Sequence, residues 1–119
     1  MRAILLGLLA ALPAENADAQ QNLGSANYMV PACQNFLANR NTTLIDTLDQ
    51  GICVGTLNGL SYLTGYLPPH LRSCAPTEAT TGQKIRVVLA YIQRRPQRMH
   101  EDFQDLAIEA FHEAWPCKK

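Results

Sequence analysis

The sequence predicts an all-α protein, a small four-helix domain stapled by two disulfides. Apolar residues recur at spacings of three and four in four segments, no segment shows the alternation of a strand, and four cysteines follow a short apolar leader. A length of 119 residues suits one domain, and 10 basic residues balance 10 acidic ones. This balance argues against a nucleic-acid partner, because binding a polyanion depends on a surplus of lysine and arginine.

The first 19 residues have the pattern of a secretory signal peptide. Arg2 precedes an apolar run over residues 3–12, and Ala17 and Ala19 form an Ala-x-Ala cleavage site. We expect cleavage after Ala19, with Ala14 as the alternative, which leaves a single domain over residues 20–119. The apolar run is shorter than the roughly 20 residues that span a bilayer, so no membrane anchor is expected after cleavage.

The four cysteines all lie in the part that is expected to be exported. An even number of cysteines in an oxidising compartment predicts two disulfides. Three pairings are possible, and we favour Cys33–Cys53 as a local clamp together with Cys74–Cys117 as a tie between a central loop and the C-terminus. No two cysteines have the short spacing of a zinc site, and the three histidines do not cluster with them, so no metal is expected.

The first two helices are predicted from residues before the double proline at 68–69. Ser25 can cap helix one, which contains Pro31 and is therefore expected to be kinked or to start late. Helix two is the long one and runs from Leu44 to about Leu67, with apolar residues at helical spacing along it.

The last two helices follow a proline-rich loop that contains Cys74. Thr80 or Thr81 is expected to cap helix three, which ends at Pro96. A short link over residues 97–100 leads to helix four, which has Glu101 and Asp102 in its first turn and ends at Pro116. Phe103 is the first residue of its apolar stripe.

Three glycines fall at every fourth position of helix two, at Gly51, Gly55 and Gly59. Each costs about 1 kcal/mol against alanine in a helix interior, so their presence requires a compensating reason. The spacing predicts close approach of another backbone along this stripe, either within the domain or across a homodimer.

A basic corner joins helices three and four. Its residues are Arg94, Arg95, Pro96, Gln97, Arg98, Met99 and His100. A turn fixed by proline and rich in arginine can engage an acidic cleft on a partner. The alternative is that these arginines only complement the dipole at the C-terminus of helix three.

Residues that could support catalysis are few. His100, Glu101 and Asp102 are adjacent, and His112 precedes Glu113. The sequence has no nucleophile elbow and no phosphate-binding glycine loop, and oxidised cysteines cannot act as nucleophiles. We therefore expect neither an enzyme nor a cofactor.

The segment from Thr80 to Cys117 resembles the Rap/Tai-type immunity proteins of type VI secretion. The matching motifs are Thr80-Thr81-Gly82-Gln83, Val87-Val88, Arg95-Pro96-Gln97-Arg98 and Trp115-Pro116-Cys117, with an earlier match at Cys53-Val54-Gly55 and Gly59. The resemblance covers most of the expected mature chain and depends on the combination of motifs.

The resemblance implies a small helical periplasmic protein, commonly dimeric, that binds a peptidoglycan amidase toxin and blocks its active-site groove. Inhibition in the family is associated with a protruding loop between helices, which assigns the partner-binding role to the basic corner, residues 94–100. An alternative function for a disulfide-stapled helical domain of this size is a small envelope stress or chaperone-like protein without a toxin partner.

Overall fold

The computed structural model describes residues 22–118, and these fold into four α-helices. The helices are α1 (Ala26–Leu37), α2 (Leu44–Leu63), α3 (Thr81–Gln93) and α4 (Phe103–Ala114), with short 3₁₀ turns at Thr64–Tyr66 and Pro96–Arg98. Apart from two isolated bridges, these residues hold no β-structure, so the all-α prediction is confirmed. The predicted signal peptide, with its cleavage sites, lies outside the described residues.

Helix α1 runs without interruption through Pro31. The expectation that its regular part starts late is therefore wrong. The proline side chain is exposed, so its ring faces away from the core. Pro31 has no N–H that could donate to the carbonyl oxygen of Asn27, four residues earlier. Asn27 is exposed, so water can donate a hydrogen bond to that oxygen instead.

Ser25 occupies the N-cap position of α1, but its hydroxyl does not cap the helix. The hydroxyl instead donates a hydrogen bond to the carbonyl oxygen of Asn22 at 2.9 Å. The first turn of a helix leaves backbone N–H groups without partners, and here residues 26 and 27 donate theirs to carbonyl oxygens of Glu101 and Met99 at 3.0 and 2.8 Å. The start of α1 is thus capped by the backbone that leads into α4.

Helix α2 begins with a capping box. The Thr43 hydroxyl accepts a hydrogen bond from the backbone of Asp46 at 3.1 Å, and the Asp46 carboxylate accepts one from the backbone of Thr43 at 3.1 Å. Side-chain hydrogen bonds from Thr42 and Thr43 lower the pKa of Asp46. The α-helix ends at Leu63, before the predicted end near residue 67, because the chain tightens into a 3₁₀ turn ahead of the double proline.

The core lies on one side of α2, against α1, α3 and α4. Its largest fully buried side chains are those of Phe103, Phe111, Leu57, Ile85, Ile92 and Leu106. The opposite side of α2 is open. Several residues that follow the predicted apolar spacing point outward there instead of into the core, namely Leu44, Leu48, Ile52 and Leu63.

Both favoured disulfides are present. Cys33–Cys53 joins α1 to α2 with 5.6 Å between the Cα atoms, and both cysteines are fully buried. Cys74–Cys117 joins the loop before α3 to the chain after α4 with 4.9 Å between the Cα atoms, and Cys74 is exposed. The second disulfide lies beside a backbone bridge between Ser73 and Pro116.

The difference in exposure predicts an order of reduction. A thiolate must reach a sulfur atom to attack it, so we expect a small thiol under native conditions to reduce Cys74–Cys117 at least about tenfold faster than Cys33–Cys53. Pulsed alkylation followed by peptide mass spectrometry measures both rates. Equal rates would mean that reduction requires global unfolding.

Candidate functional site

The basic corner is a 3₁₀ turn held between two helices. Arg94 is the C-cap of α3, Pro96 begins the turn, and Asp102 is the N-cap of α4. The backbone N–H of Arg95 donates to the carbonyl of Ile92 at 2.8 Å, so the chain leaves α3 through a tight, hydrogen-bonded bend. Proline suits the first position of such a turn because its N–H would have no partner there.

Arg98 fixes this corner to α4. Its guanidinium reaches both oxygens of Glu101 at 2.6 and 2.9 Å and both oxygens of Glu109 at 2.7 and 3.0 Å. A fifth hydrogen bond, at 3.4 Å, goes to the hydroxyl of Tyr91, which itself donates to Glu109 at 2.5 Å. Arginine has five N–H donors, and all five are therefore accounted for inside the protein.

The titration properties of this cluster follow from the same contacts. Hydrogen bonds from Arg98 lower the pKa of Glu101 and of Glu109, and bonds to these two carboxylates raise the pKa of Arg98. Burial raises the pKa of Tyr91, and its hydrogen bond to Glu109 adds to that rise. At neutral pH Arg98 is therefore positively charged, and the two carboxylates that it binds, those of Glu101 and Glu109, are both ionised.

The other two arginines of the corner, Arg95 and Arg94, differ in how firmly contacts within the protein hold their side chains. Arg95 donates to the carbonyl of Tyr91 at 2.9 Å and places its guanidinium 3.7 Å from the centre of that ring, a cation–π contact. Arg94 makes only long contacts, at 3.4 Å, to the exposed carboxylate of Glu113. With 58% of its side chain exposed, Arg94 is free to leave Glu113 for another partner.

The seven predicted corner residues thus fall into two groups. Arg95, Arg98 and Met99 point inward and hold the turn, Met99 by packing against the core. The exposed residues, which we call the corner tip, are Arg94, Pro96, Gln97 and His100. The corner tip carries the atoms that a partner can touch without disturbing the fold.

An open cavity of about 350 Å³ adjoins the corner tip. His100 forms one wall, and the other lining residues come from the start of α1 and the segment before it, namely Asn22, Ser25, Asn27 and Tyr28. Tyr28 is held in place by a hydrogen bond from its hydroxyl to Asp49 at 2.7 Å, which also raises the pKa of Tyr28. A side chain of a partner that contacts His100 can enter this cavity.

The three glycines lie apart from the corner, on the open side of α2. All three are exposed, and a Cβ built at Gly51, Gly55 or Gly59 would meet no atom within 4 Å apart from the adjacent backbone of α2 itself. Close approach of another backbone within the domain is therefore wrong as an explanation of the stripe. The homodimer alternative stays a prediction.

Of the residues that could support catalysis, His112 and Glu101 are engaged in holding the fold, whereas His100 is exposed on the corner tip. Nδ1 of His112 lies 2.7 Å from the carbonyl oxygen of Arg72, so this nitrogen carries the proton and donates it. Glu101 is bound by Arg98 and Asp102 is the N-cap of α4, so neither residue lies in the first turn of that helix as expected. Over residues 22–118, no three potential metal ligands come together and no helix is long and apolar enough to cross a membrane.

Two features of this site were missed by sequence reasoning. The first is the binding of Arg98 by Glu101, Glu109 and Tyr91. Only the Arg98–Glu101 spacing of three residues hinted at it, because the other partners lie on different helices. The second is that large apolar side chains flank the glycine stripe on the open face of α2.

The fold and the site together define a class of protein: a disulfide-bonded helical domain with a rigid, charged corner whose tip is exposed. The family model for Rap1a immunity proteins matches residues 25–117, so the chain belongs to this family of immunity proteins. Proteins of this class are generally non-enzymatic and act by binding a cognate toxin. Neither the search of curated proteins nor the search of solved structures gives a match.

Proposed function

We propose that this chain is a periplasmic immunity protein that inhibits a peptidoglycan amidase delivered by type VI secretion. Membership of the immunity family supports the binding of a toxin, and the two disulfides fit an exported protein. In this proposal the signal peptide is removed after Ala19, and residues 20–119 act in the periplasm. The proposed inhibition requires no cofactor.

The inhibitory contact in this proposal is made by the corner tip. Its supporting observation is that Arg98 holds the turn rigidly from inside while Arg94 and His100 stay exposed. A preorganised loop loses little conformational freedom on binding, which favours a tight complex. The tip enters the active-site groove of the amidase and occludes it, and the cavity beside His100 receives a side chain from the rim of that groove.

The role of the corner tip is tested by reversing the charge of its exposed arginine, Arg94. We expect Arg94→Glu to weaken the complex with the amidase at least about tenfold. The melting temperature should change little, because the pair between Arg94 and Glu113 is exposed. Titration calorimetry or inhibition kinetics measures the affinity.

The matched control is Arg86→Glu, which makes the same charge change at another exposed arginine of α3, two turns away from Arg94. Its affinity should equal that of the unmodified protein. If both variants bind equally well, the corner tip does not contact the toxin. If both lose affinity alike, the effect is one of net charge and not of the tip.

The exposed apolar face of α2 favours one other function, a chaperone-like role. That role predicts that the protein suppresses aggregation of several unrelated unfolded proteins and gives no saturable inhibition of an amidase. An immunity protein is expected to do the reverse.

A further inference from the structure

Two open cavities meet along the exposed side of α1. The first, of about 350 Å³, is the cavity beside His100 of the corner tip, and the second, of about 230 Å³, lies between α1 and the first turns of α2. Asn27 and Tyr28 line both cavities. The two therefore form one groove, which we call the α1 trench, and it leads from His100 to Asp46 and Asp49.

Pro31 gives the wall of the α1 trench a free backbone acceptor. Proline is the residue least suited to a helix interior, because it has no N–H and its ring crowds the carbonyl four residues earlier. Pro31 is exposed and lines the second cavity, so packing of the core does not explain its presence. The carbonyl that it leaves without the usual helical donor belongs to Asn27, which lines both cavities.

Two asparagine side chains suit the trench to a peptide backbone. Asn27 and Asn35 both line it, eight residues apart on α1. A side-chain amide can donate and accept hydrogen bonds, as the N–H and carbonyl groups of a peptide require. Eight residues of helix cover about 12 Å, a distance that about four residues of extended chain span. The trench therefore matches a short extended segment in both length and hydrogen-bonding groups.

The end of the trench on α2 carries two carboxylates. Thr42 and Thr43 donate to Oδ2 of Asp46, and Tyr28 donates to Oδ2 of Asp49, so these bonds leave Oδ1 of each aspartate available. Within the part of the chain that the structure describes, neither aspartate has an ion-pair partner. The lining of the trench includes no lysine or arginine. This end of the trench is therefore complementary to a cation.

We propose that the α1 trench binds an extended segment of the toxin that carries a lysine or an arginine. A backbone N–H of the segment donates to the free carbonyl of Asn27, and its basic side chain reaches Asp46 and Asp49. The toxin surface thus has two charges to offer, a basic one for the trench and an acidic one for Arg94 at the corner tip. This inference rests on the proposed function and adds the chemistry of the partner beside the corner tip.

Pro31→Ala tests the free carbonyl, because it should change stability and binding in opposite directions. Alanine supplies the missing N–H, so we expect the melting temperature to rise by at least about 3 °C. The same N–H occupies the carbonyl of Asn27, so the affinity for the amidase should fall at least about threefold. Pro31→Val supplies the N–H and keeps more of the apolar bulk, and it should bind as weakly as Pro31→Ala.

Asp49→Asn tests the charge at the other end of the trench. The amide oxygen of asparagine can still accept the hydrogen bond from Tyr28, so the fold should be retained while the charge is lost. We expect the affinity for the amidase to fall at least about tenfold. The matched control is Glu78→Gln, which neutralises an exposed carboxylate outside the trench and should leave the affinity unchanged.

A peptide titration tests the trench without any amidase. The oxidised mature chain, residues 20–119, is labelled for nuclear magnetic resonance and titrated with the blocked pentapeptide Ser-Ala-Lys-Ala-Ser, and then with the same peptide carrying glutamate in place of lysine. We expect the lysine peptide to shift backbone signals within residues 27–35 and 46–49, with a dissociation constant on the order of 1 mM. The glutamate peptide should bind at least about fivefold more weakly.

The results separate this inference from the proposed function. The inference is overturned if the lysine peptide shifts no signals of the trench, or if the two peptides bind alike. It is equally overturned if the amidase binds Asp49→Asn and Pro31→Ala as tightly as the unmodified chain, a result that leaves amidase inhibition standing. Selective binding of the lysine peptide by a chain that inhibits no amidase would support the trench and remove the proposed function alone.

Discussion

Arg98→Ala is expected to lower both the melting temperature and the affinity for the toxin, although Arg98 does not lie on the corner tip. The substitution removes five hydrogen bonds and the cation that bridges Glu101 and Glu109. We expect the melting temperature to fall by at least about 5 °C for a domain of this size. Toxin affinity should fall because the turn is no longer held rigid.

The dependence on pH separates this effect from a general loss of packing. Arg98 lowers the pKa of Glu101 and Glu109 in the folded state, so their stabilising contribution is fully present above the pKa of an unfolded glutamate, near 4.3. It is lost as the pH falls through the lower folded values. The difference in stability between the unmodified protein and Arg98→Ala should therefore be full at pH 7 and shrink below about pH 4.

Two variants sharpen this test. Arg98→Lys keeps the charge but not the two-pronged contacts, and it should restore only part of the stability. Arg94→Ala removes an exposed arginine of the same corner and should change the melting temperature by less than about 2 °C. If Arg98→Ala melts like Arg94→Ala at pH 7, the Arg98 cluster does not hold the corner.

Removing the disulfide between Cys74 and Cys117 is expected to have the largest effect on stability. In the chain-entropy model, a closed loop of this length stabilises the folded state by about 4 kcal/mol, compared with about 3 kcal/mol for Cys33–Cys53. The total free energy of unfolding of a domain of 100 residues is only about 5–15 kcal/mol. We therefore expect the double variant Cys74→Ser, Cys117→Ser to be folded at low temperature and largely unfolded in mild denaturant.

Urea denaturation of the double variant, followed by helix content, measures this loss. The disulfide lies at the end of α4 opposite the basic corner, so the folded fraction of the variant should still bind the toxin with unchanged affinity at low temperature. The matched control is reduction of the unmodified protein at the same site, which should give the same denaturation midpoint. A loss below about 1 kcal/mol would contradict the entropic account.

The sequence predicted much of this fold for physical reasons that are local. The spacing of apolar residues placed four helices, Thr80 marked the start of α3, and the number of cysteines in a chain expected to be exported predicted two disulfides. The failures arise where a helix is apolar on more than one side. Periodicity could not tell which stripe of α2 enters the core, so Leu44 and Leu48 seemed equivalent to Leu57, which alone is buried.

The candidate site was less predictable, because its properties depend on contacts between helices. The corner was found from Pro96 and its neighbouring arginines, but the partners of Arg98 lie up to 11 residues away, on α3 and α4. Only the folded arrangement shows that Arg98 acts inward and Arg94 outward. The same arrangement shows that the start of α1 is capped by backbone carbonyls near residue 100 and not by the Ser25 side chain.

The central claim is that the chain is a stoichiometric inhibitor of a peptidoglycan amidase. The most direct measurement is a titration of the oxidised mature chain into purified type VI amidases acting on isolated peptidoglycan, with release of cleaved peptides as the readout. The account predicts that inhibition of one amidase is complete at one chain per enzyme and that Arg94→Glu shifts the titration to higher concentration while Arg86→Glu does not. Full amidase activity at excess chain across the panel would contradict it.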